Sequence, residues 1–359
     1  MNLKRKDDQV DTMYVPFNKK TLTTQIDQAF SVSAVAKLVA AGILTPKIRK
    51  QGPFELPAIK PEYNHFCHLL GEVLKNLPEL PDFSGDKKIA VMSDYGGEHS
   101  DALYQTYSFL FVAMDKTGPF QARMQELRQK HKIHHPYSEF KFKDLRYAPR
   151  KRALPEYLRL VDTLIHGALV TVAIDRKIES VFAMSKAAAK KEITKQLQDG
   201  GFGTWNFQTG EKLLRILHIL SAFTAALTHD QQRLLWYSDN DNINADGHER
   251  SFAHTQSLFG SVGAMYMTHG FEILGFAKSL ADKSFLDDLL SVPDLAAGIL
   301  HDLATFDDTG EDPLGEDGKV DVLKWIATSS NFLTKIHLRI SPKSDGTYEA
   351  HTLTLEPKW

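Results

Sequence analysis

The sequence has a single cysteine and no long uninterrupted apolar run. Cys67 therefore cannot form an internal disulfide, and because it lies in the apolar helical segment EYNHFCHLL we expect a buried thiol in a reducing, cytoplasmic compartment. Nowhere do the roughly eighteen uncharged apolar residues of a membrane helix follow one another. The cationic start MNLKRK is not followed by an apolar segment with a cleavage site. A membrane span and a signal peptide are not expected.

The sequence also has no excess of one charge, since it contains 43 Lys and Arg residues and 45 Asp and Glu residues. The global charge therefore indicates no particular partner. With 359 residues, of which 42% are hydrophobic, the chain can bury at least one large core. This composition excludes fibrous, collagenous and wholly disordered proteins, and no internal repeat or low-complexity block is found.

The pattern of apolar residues divides the chain into three parts. Residues 1–85 are helical and irregular and form an N-terminal appendage that ends in the Pro- and Gly-rich segment NLPELPDFSGDKK. In residues 86–305 short apolar runs alternate with helical patterns, which predicts an α/β core with a mixed sheet flanked by helices. Residues 306–359 hold an acidic loop, a helix and two strands, which we interpret as a β-hairpin extension. The predicted strands of the core are KIAVMS, YSFLFVAM, FKF, ALVTVAI, RLLWYS and FEILGFA.

Aspartates follow directly on three of these apolar runs, at Asp94, Asp175 and Asp239. Because the carboxyl ends of strands in an α/β sheet converge on one crevice, these side chains are expected to face one another if their strands are adjacent. Clustered carboxylates raise each other's pKa unless a cation lies among them, and a pair of Mg²⁺ or Mn²⁺ ions serves this purpose where phosphodiesters are cut. A single aspartate after a strand is a helix cap or a turn residue about as often as it is a metal ligand. Three such aspartates together favour a metal site.

Six segments in residues 87–305 occur in an order that resembles a known family. They are MSDYGGEH, YSFLFVAM, EFKFKDL, TVAIDRKI, LLWYSDND and SFLDDLLSVPDLAAG. In this order they resemble the proteins catalogued as domain of unknown function 3800, a group with a ribonuclease-H-like fold. The resemblance implies a ribonuclease-H-like core, a metal-dependent nuclease activity and a role in bacterial defence.

The same resemblance implies a set of metal ligands in this chain. They are Asp94, Asp175 and Asp294, together with Asp239 or Asp241. The sequence departs from the family where Tyr95 and Gly96 replace Glu and Ser, which makes Glu98 a candidate for a displaced carboxylate. Pro293 stands where the family has Ala, and a proline there suits the first turn of a helix.

A basic segment with interleaved aromatic residues, KFKDLRYAPRKR, directly follows the start of the EFKFKDL segment. Cations neutralise phosphates and aromatic rings stack on unpaired bases, so the segment predicts nucleic-acid binding, although a solvated surface remains the alternative. The predicted nucleic-acid-binding residues are Lys141, Lys143, Arg146, Arg150, Lys151 and Arg152. Lys141 is in addition a candidate catalytic residue that orients the attacking water or stabilises charge at the scissile phosphate.

These observations favour a metal-dependent nuclease that acts on DNA or RNA, with water as the nucleophile and a two-metal site of Mg²⁺ or Mn²⁺. The main alternative is a non-cleaving nucleic-acid-binding or scaffold subunit that contacts a protein partner through the appendages 1–85 and 306–359. A third hypothesis, a small-molecule phosphoesterase, would require a closed pocket. The type and strandedness of the nucleic acid and the oligomeric state do not follow from the sequence, and no membrane partner is expected.

Overall fold

The structure is a computed structural model that describes residues 56, 59–134, 137, 139–247, 249–279, 284–310 and 318–355. Most of the predicted N-terminal appendage, including the segment SVSAVAKLVAAGIL, lies outside the described residues. Residues 311–317 of the predicted acidic loop lie outside them as well.

One mixed seven-stranded sheet organises the described part of the chain. Its strands are β1 (Lys88–Gly96), β2 (Tyr104–Ala113), β3 (Gly167–Asp175), β4 (Gln232–Ser238), β5 (Phe271–Lys278), β6 (Leu333–Pro342) and β7 (Tyr348–Thr352). They lie in the order β5-β4-β1-β2-β3-β6-β7. The pairs β1–β2, β2–β3 and β6–β7 are antiparallel, whereas β1–β4, β4–β5 and β3–β6 are parallel. The predicted mixed α/β sheet is confirmed.

Helices cover both faces of this sheet. They are α1 (His65–Lys75), α2 (Gly118–His131), α3 (Ala148–Leu164), α4 (Lys186–Asp199), α5 (Phe207–Leu227), α6 (Phe252–Gly263), α7 (Phe285–Thr309) and α8 (Lys319–Ala327). The strand predicted at FKF is wrong, because this segment is an extended stretch that ends in a short 3₁₀ turn, Phe142–Asp144. Both edges of β1 are already occupied by β2 and β4, and the segment lies against α7 instead.

Alternation along β1 divides the interior into two apolar cores. Ile89 and Val91 point to the core that contains α5, whereas Ala90 and Met92 point to the core that contains α7. Every residue of β3 is buried, as expected of a strand covered on both faces. Alternate residues of β1 therefore face different helices, α5 on one side of the sheet and α7 on the other.

The two ends of the described chain belong to the same core. Phe66 and Cys67 of α1 are fully buried against α5, which confirms the predicted buried thiol. The C-terminal hairpin also forms, and Ile336, Leu338 and Ile340 of its first strand are buried. Its first strand pairs with β3, so the hairpin extends the central sheet.

By length and composition α7 is the one helix of the described chain that could cross a membrane. Its most apolar stretch is 61% buried inside the protein, and the helix packs across β1, β2 and β3. In the described structure α7 is therefore a core helix.

Candidate functional site

Three aspartates from three separate elements line one cavity of about 280 Å³. Asp94 belongs to β1, Asp239 directly follows β4, and Asp294 lies in the middle of α7. The parallel pairing of β1 and β4 sets Ser93 opposite Ser238, and the amide of Asp239 donates to the carbonyl oxygen of Ser93 over 3.0 Å. Asp94 and Asp239 are therefore neighbours at the same level of the sheet.

Local structure explains how these side chains reach the cavity. The alternation of β1 sends Asp94 to the α7 side, after Ala90 and Met92. Pro293 lies inside α7 and not in its first turn, which was the position expected for it from the sequence. A proline within a helix removes one backbone hydrogen bond of the preceding turn. The residue that cannot donate this hydrogen bond, Pro293, thus immediately precedes Asp294.

The carboxyl groups of Asp94 and Asp294 lie close enough to shift each other's pKa. Burial raises the pKa of Asp94 well above its usual range, and the carboxylates of Asp294 and Asp239 raise it further. Burial also raises the pKa of Asp294 to about 6, against the opposing effects of the Phe142 amide and the Lys141 ammonium group. The crowded carboxyl groups hold a proton more readily than isolated aspartates do.

The segment Glu139–Lys143 forms the opposite wall of the cavity. Its backbone is fixed on α7, because the amide of Phe140 donates to Ser291 Oγ over 3.2 Å and the amide of Phe142 donates to Asp294 Oδ2 over 3.1 Å. The ring of Phe142 lies on the bare backbone of Gly298, where an added Cβ would stand 2.3 Å from the ring. Gly298 thus permits the close approach that brings this segment to Asp294.

Glu139 adds a fourth carboxylate to the wall of the cavity. Lys141 Nζ lies 3.3 Å from Glu139 Oε2. Burial lowers the pKa of Lys141, but the carboxylates of Glu139, Asp239 and Asp294 outweigh it and raise that pKa. Glu139 was not predicted as a site residue from the sequence. The signal was the alternation of polar and aromatic residues in EFKFK, which directs positions 139, 141 and 143 to one side.

Asp175 does not join this cavity, contrary to the prediction that it faces Asp94. β2 lies between β1 and β3, and the register places Asp94 opposite Ser108 but Asp175 opposite Tyr104. Two strand spacings and four residue rises separate the two aspartates, roughly 16 Å. Asp175 instead accepts a hydrogen bond from the Lys177 amide over 2.8 Å and stabilises the turn after β3.

Asp241 and Glu98 also lie outside the cavity, because both pair with the buried ammonium group of Lys212. Lys212 Nζ is 2.6 Å from Asp241 Oδ2 and 5.1 Å from the centre of the Tyr95 ring. Tyr95 follows Asp94 in β1 and therefore points to the opposite face of the sheet. Of the two alternatives left by the sequence, the structure brings Asp239 to the cavity.

The predicted nucleic-acid-binding residues are only partly gathered at this site. Lys141 and Lys143 line the cavity. Arg146, Lys151 and Arg152 are exposed on the following turn and at the start of α3. Arg150 pairs with Asp144 over 3.1 Å, and its guanidinium group lies 5.1 Å from the centre of the Tyr147 ring. Tyr147 is 55% exposed and offers a ring face next to these cations.

The donor set suits a hard divalent cation, since Mg²⁺ and Mn²⁺ prefer carboxylate oxygens. The repulsion that raises the pKa of Asp94 is what such a cation would relieve. Among the described residues, however, no three or more His, Cys, Asp or Glu side chains are arranged as a ready-made set of metal ligands. The carboxylate oxygens are suitable ligands for a metal ion, but the side chains are not arranged as a coordination shell in this structure.

Comparisons with protein-family models, with curated proteins and with solved structures find no match for this chain. The fold is shown at the level of a mixed seven-stranded α/β sheet flanked by helices. The resemblance to the ribonuclease-H-like family stays a prediction from the sequence motifs.

Proposed function

We propose that this protein is a metal-dependent nuclease that hydrolyses phosphodiester bonds in DNA or RNA. The observation that carries the proposal is the convergence of Asp94, Asp239, Asp294 and Glu139 on one cavity whose wall also holds Lys141. Four carboxylates with few compensating charges are costly unless they bind a cation. An arrangement of this kind is typical of sites where metal ions assist phosphodiester hydrolysis.

The order of the strands supports a ribonuclease-H-like core. β1, β2 and β3 are successive antiparallel neighbours, and β4 and β5 continue the sheet on the other side of β1 in parallel. This is the order expected of such a core, to which β6 and β7 are added beyond β3. The bacterial defence role and the cytoplasmic location predicted from the sequence belong to this proposal.

The ligands that would hold the metal are Asp94, Asp239 and Asp294, with Glu139 at the same cavity wall. A bound Mg²⁺ or Mn²⁺ pair supplies activation of water and stabilisation of the leaving oxygen. Lys141 stays protonated because the neighbouring carboxylates raise its pKa, so its ammonium group can hold a phosphate oxygen at the cavity. Lys143 adds a second cation for the phosphate backbone, and Tyr147 offers a ring on which an unpaired base can stack.

The test is cleavage of labelled single-stranded and duplex DNA and RNA with Mn²⁺, Mg²⁺ or EDTA. Asp94→Asn, Asp239→Asn and Asp294→Asn are expected to reduce cleavage to the level seen with EDTA, because each removes a charged ligand and keeps its shape. Asp175→Asn is the matched control. It also removes an aspartate at the end of a strand, but roughly 16 Å from Asp94, and should cut as the wild type does.

Two results would contradict the proposal. One is a folded wild-type protein that cuts none of these substrates with either metal. The other is an equal loss of cleavage in Asp175→Asn and Asp94→Asn, which would place the activity outside this cavity.

The second candidate function is a nucleic-acid-binding subunit that does not cut. The closeness of Asp94 and Asp294 favours it, because two adjacent carboxyl groups can share a proton and so relieve their repulsion without a metal. Salt-dependent binding of nucleic acid that is indifferent to EDTA and to Asp94→Asn, without cleavage of any substrate, would support this function.

A further inference from the structure

The strand β5 ends the sheet with an open edge. Among the described residues, no strand pairs with the side of β5 that faces away from β4. Two of its apolar side chains are exposed, Ile273 by 51% and Leu274 by 37%. The strand contains no proline, its one lysine stands at its last position, and its one register shift lies at its first residues, next to Glu272. Natural edge strands usually carry prolines, charges or bulges along their length, because an open apolar edge pairs with other chains.

We propose that a second copy of this chain pairs with β5 in antiparallel fashion, about a two-fold axis that passes Gly275. The strand FEILGFAK is self-complementary in this register. Glu272 of each copy lies opposite Lys278 of the other, so two pairs of opposite charges form. Ile273 lies opposite Ala277, and Leu274 lies opposite Phe276. Directly opposite residues share a face of the sheet and interact most strongly.

The charge pattern selects this register among the alternatives. An axis at Leu274 would place Glu272 opposite Phe276 and leave Lys278 beyond the paired residues. Opposite charges stabilise a cross-strand pair, whereas a charge beside an apolar ring does not. Both ends of the strand are already ordered, since Glu272 accepts hydrogen bonds from Arg233 and Lys278 donates to the Asn244 carbonyl oxygen. In the proposed pairing the Glu272 carboxylate would lie between Arg233 of its own chain and Lys278 of the second copy.

This interface is independent of the proposed function, because it uses no residue of the carboxylate cavity. Its sharpest test is cross-linking of the full chain through Gly275→Cys under mild oxidation. The added Cβ would meet only the side chain of Leu235 at 3.5 Å and the carbonyl oxygen of Leu234 at 3.7 Å. The one natural cysteine, Cys67, is 0% exposed and does not compete.

Position 275 is the point where the two copies face each other directly. Opposite Cβ atoms in an antiparallel pair are about 4.5–5.5 Å apart, within the reach of a disulfide after small adjustments. In Ile273→Cys the two thiols would be offset by four residue rises, roughly 13 Å. We therefore expect a covalent dimer from Gly275→Cys and none from Ile273→Cys.

The solution measurement is the dimer dissociation constant from sedimentation. Leu274→Lys places like charges near the axis and is expected to weaken the dimer at least tenfold. Leu103→Lys is the matched control, since Leu103 is also 37% exposed but lies outside β5. Glu272→Lys and Lys278→Glu should each weaken the dimer severalfold, and the double variant should restore it because the opposite charges are exchanged.

The proposal is overturned if the wild-type chain sediments as a monomer at every concentration. It is also overturned if Leu274→Lys dimerises as the wild type does, or if positions 273 and 275 cross-link equally. Thermal unfolding of each variant shows whether the monomer is intact. If Leu274→Lys fails to fold, the comparison of the two cysteine variants still decides the question.

Discussion

Replacement of Gly298 by alanine tests how the segment Glu139–Lys143 is held on α7. Gly298 lies in α7, and the ring of Phe142 covers its backbone so closely that a Cβ would stand 2.3 Å from the ring atoms Cγ and Cδ1. The ring cannot move away freely, because the Phe142 amide is bonded to Asp294 and Lys319 Nζ lies 5.2 Å from the ring centre. One methyl group therefore acts on the wall of the cavity without changing any of its charges.

Two effects of opposite sign set the size of the change in stability. Within a helix, alanine in place of glycine usually stabilises the fold by about 0.5–1 kcal/mol. Inserting a carbon atom into a packed contact costs about 1–3 kcal/mol. The contact between Gly298 and Phe142 is far inside normal van der Waals distance, so the second effect should win. We expect Gly298→Ala to lower the free energy of unfolding by about 1–2 kcal/mol.

Urea unfolding of Gly298→Ala and Gly260→Ala provides the assay. Gly260 lies inside α6, and a Cβ there would meet nothing within 4 Å, so only the helical effect remains. Gly260→Ala should raise the free energy of unfolding by about 0.5–1 kcal/mol. Equal stabilisation by both substitutions would refute the described contact between Phe142 and α7.

A double-mutant cycle locates the clash at Phe142. If the ring causes the loss, the combination of Phe142→Ala with Gly298→Ala should destabilise by less than the sum of the two single changes. The coupling free energy should be about 1–2 kcal/mol, within the range found for residues in direct contact. A coupling near zero would mean that the added methyl group acts elsewhere.

Two further predictions concern buried ionisable groups. Arg128→Met removes the partner of the buried Asp288 carboxylate and should cost about 3–5 kcal/mol in urea unfolding. Arg233→Met breaks the exposed pair with Glu272 and should leave the free energy of unfolding nearly unchanged, and similar losses in the two variants would contradict this reasoning. Burial lowers the pKa of His337 from 6.5 to about 4, so between these pH values the unfolded chain takes up a proton that the folded chain does not. Stability therefore falls as the pH falls, and His337→Leu should reduce this slope by up to about 1.4 kcal/mol per pH unit, whereas an unchanged slope would exclude a buried neutral histidine.

The parts of the site that the sequence predicted correctly depend on local rules. Asp94 and Asp239 follow apolar runs that are central strands, and parallel pairing of those strands brings both residues to one edge. Asp294 was placed by the motif around it, and α7 carries it to the same cavity. The sequence predicts the strand or helix that carries each residue, and β1 and β4 are neighbours, as the prediction required.

The parts that failed depend on which elements become neighbours. Asp175 ends an apolar strand as Asp94 does, but β2 separates the two strands, and no local pattern reveals that order. Asp241 is only two residues after Asp239 in the sequence. Its carboxylate nevertheless pairs with Lys212 of helix α5, which is distant in the chain. Glu139 lies in an extended segment whose place is set by contacts with α7. Such contacts join residues far apart in the chain, so they cannot be predicted from composition or from the periodicity of apolar residues.

The pairing of β6 with β3 has a consequence for biosynthesis. Val170 of the fully buried strand β3 lies opposite Ile336, which the ribosome adds much later. Until then the growing chain presents an apolar strand with one open edge, and such edges template aggregation between nascent chains. Non-local pairing of this kind is slow to form. Closure of the sheet by β6 is therefore expected to be the late step of folding, and chains that stop before residue 333 should depend on chaperones to stay soluble.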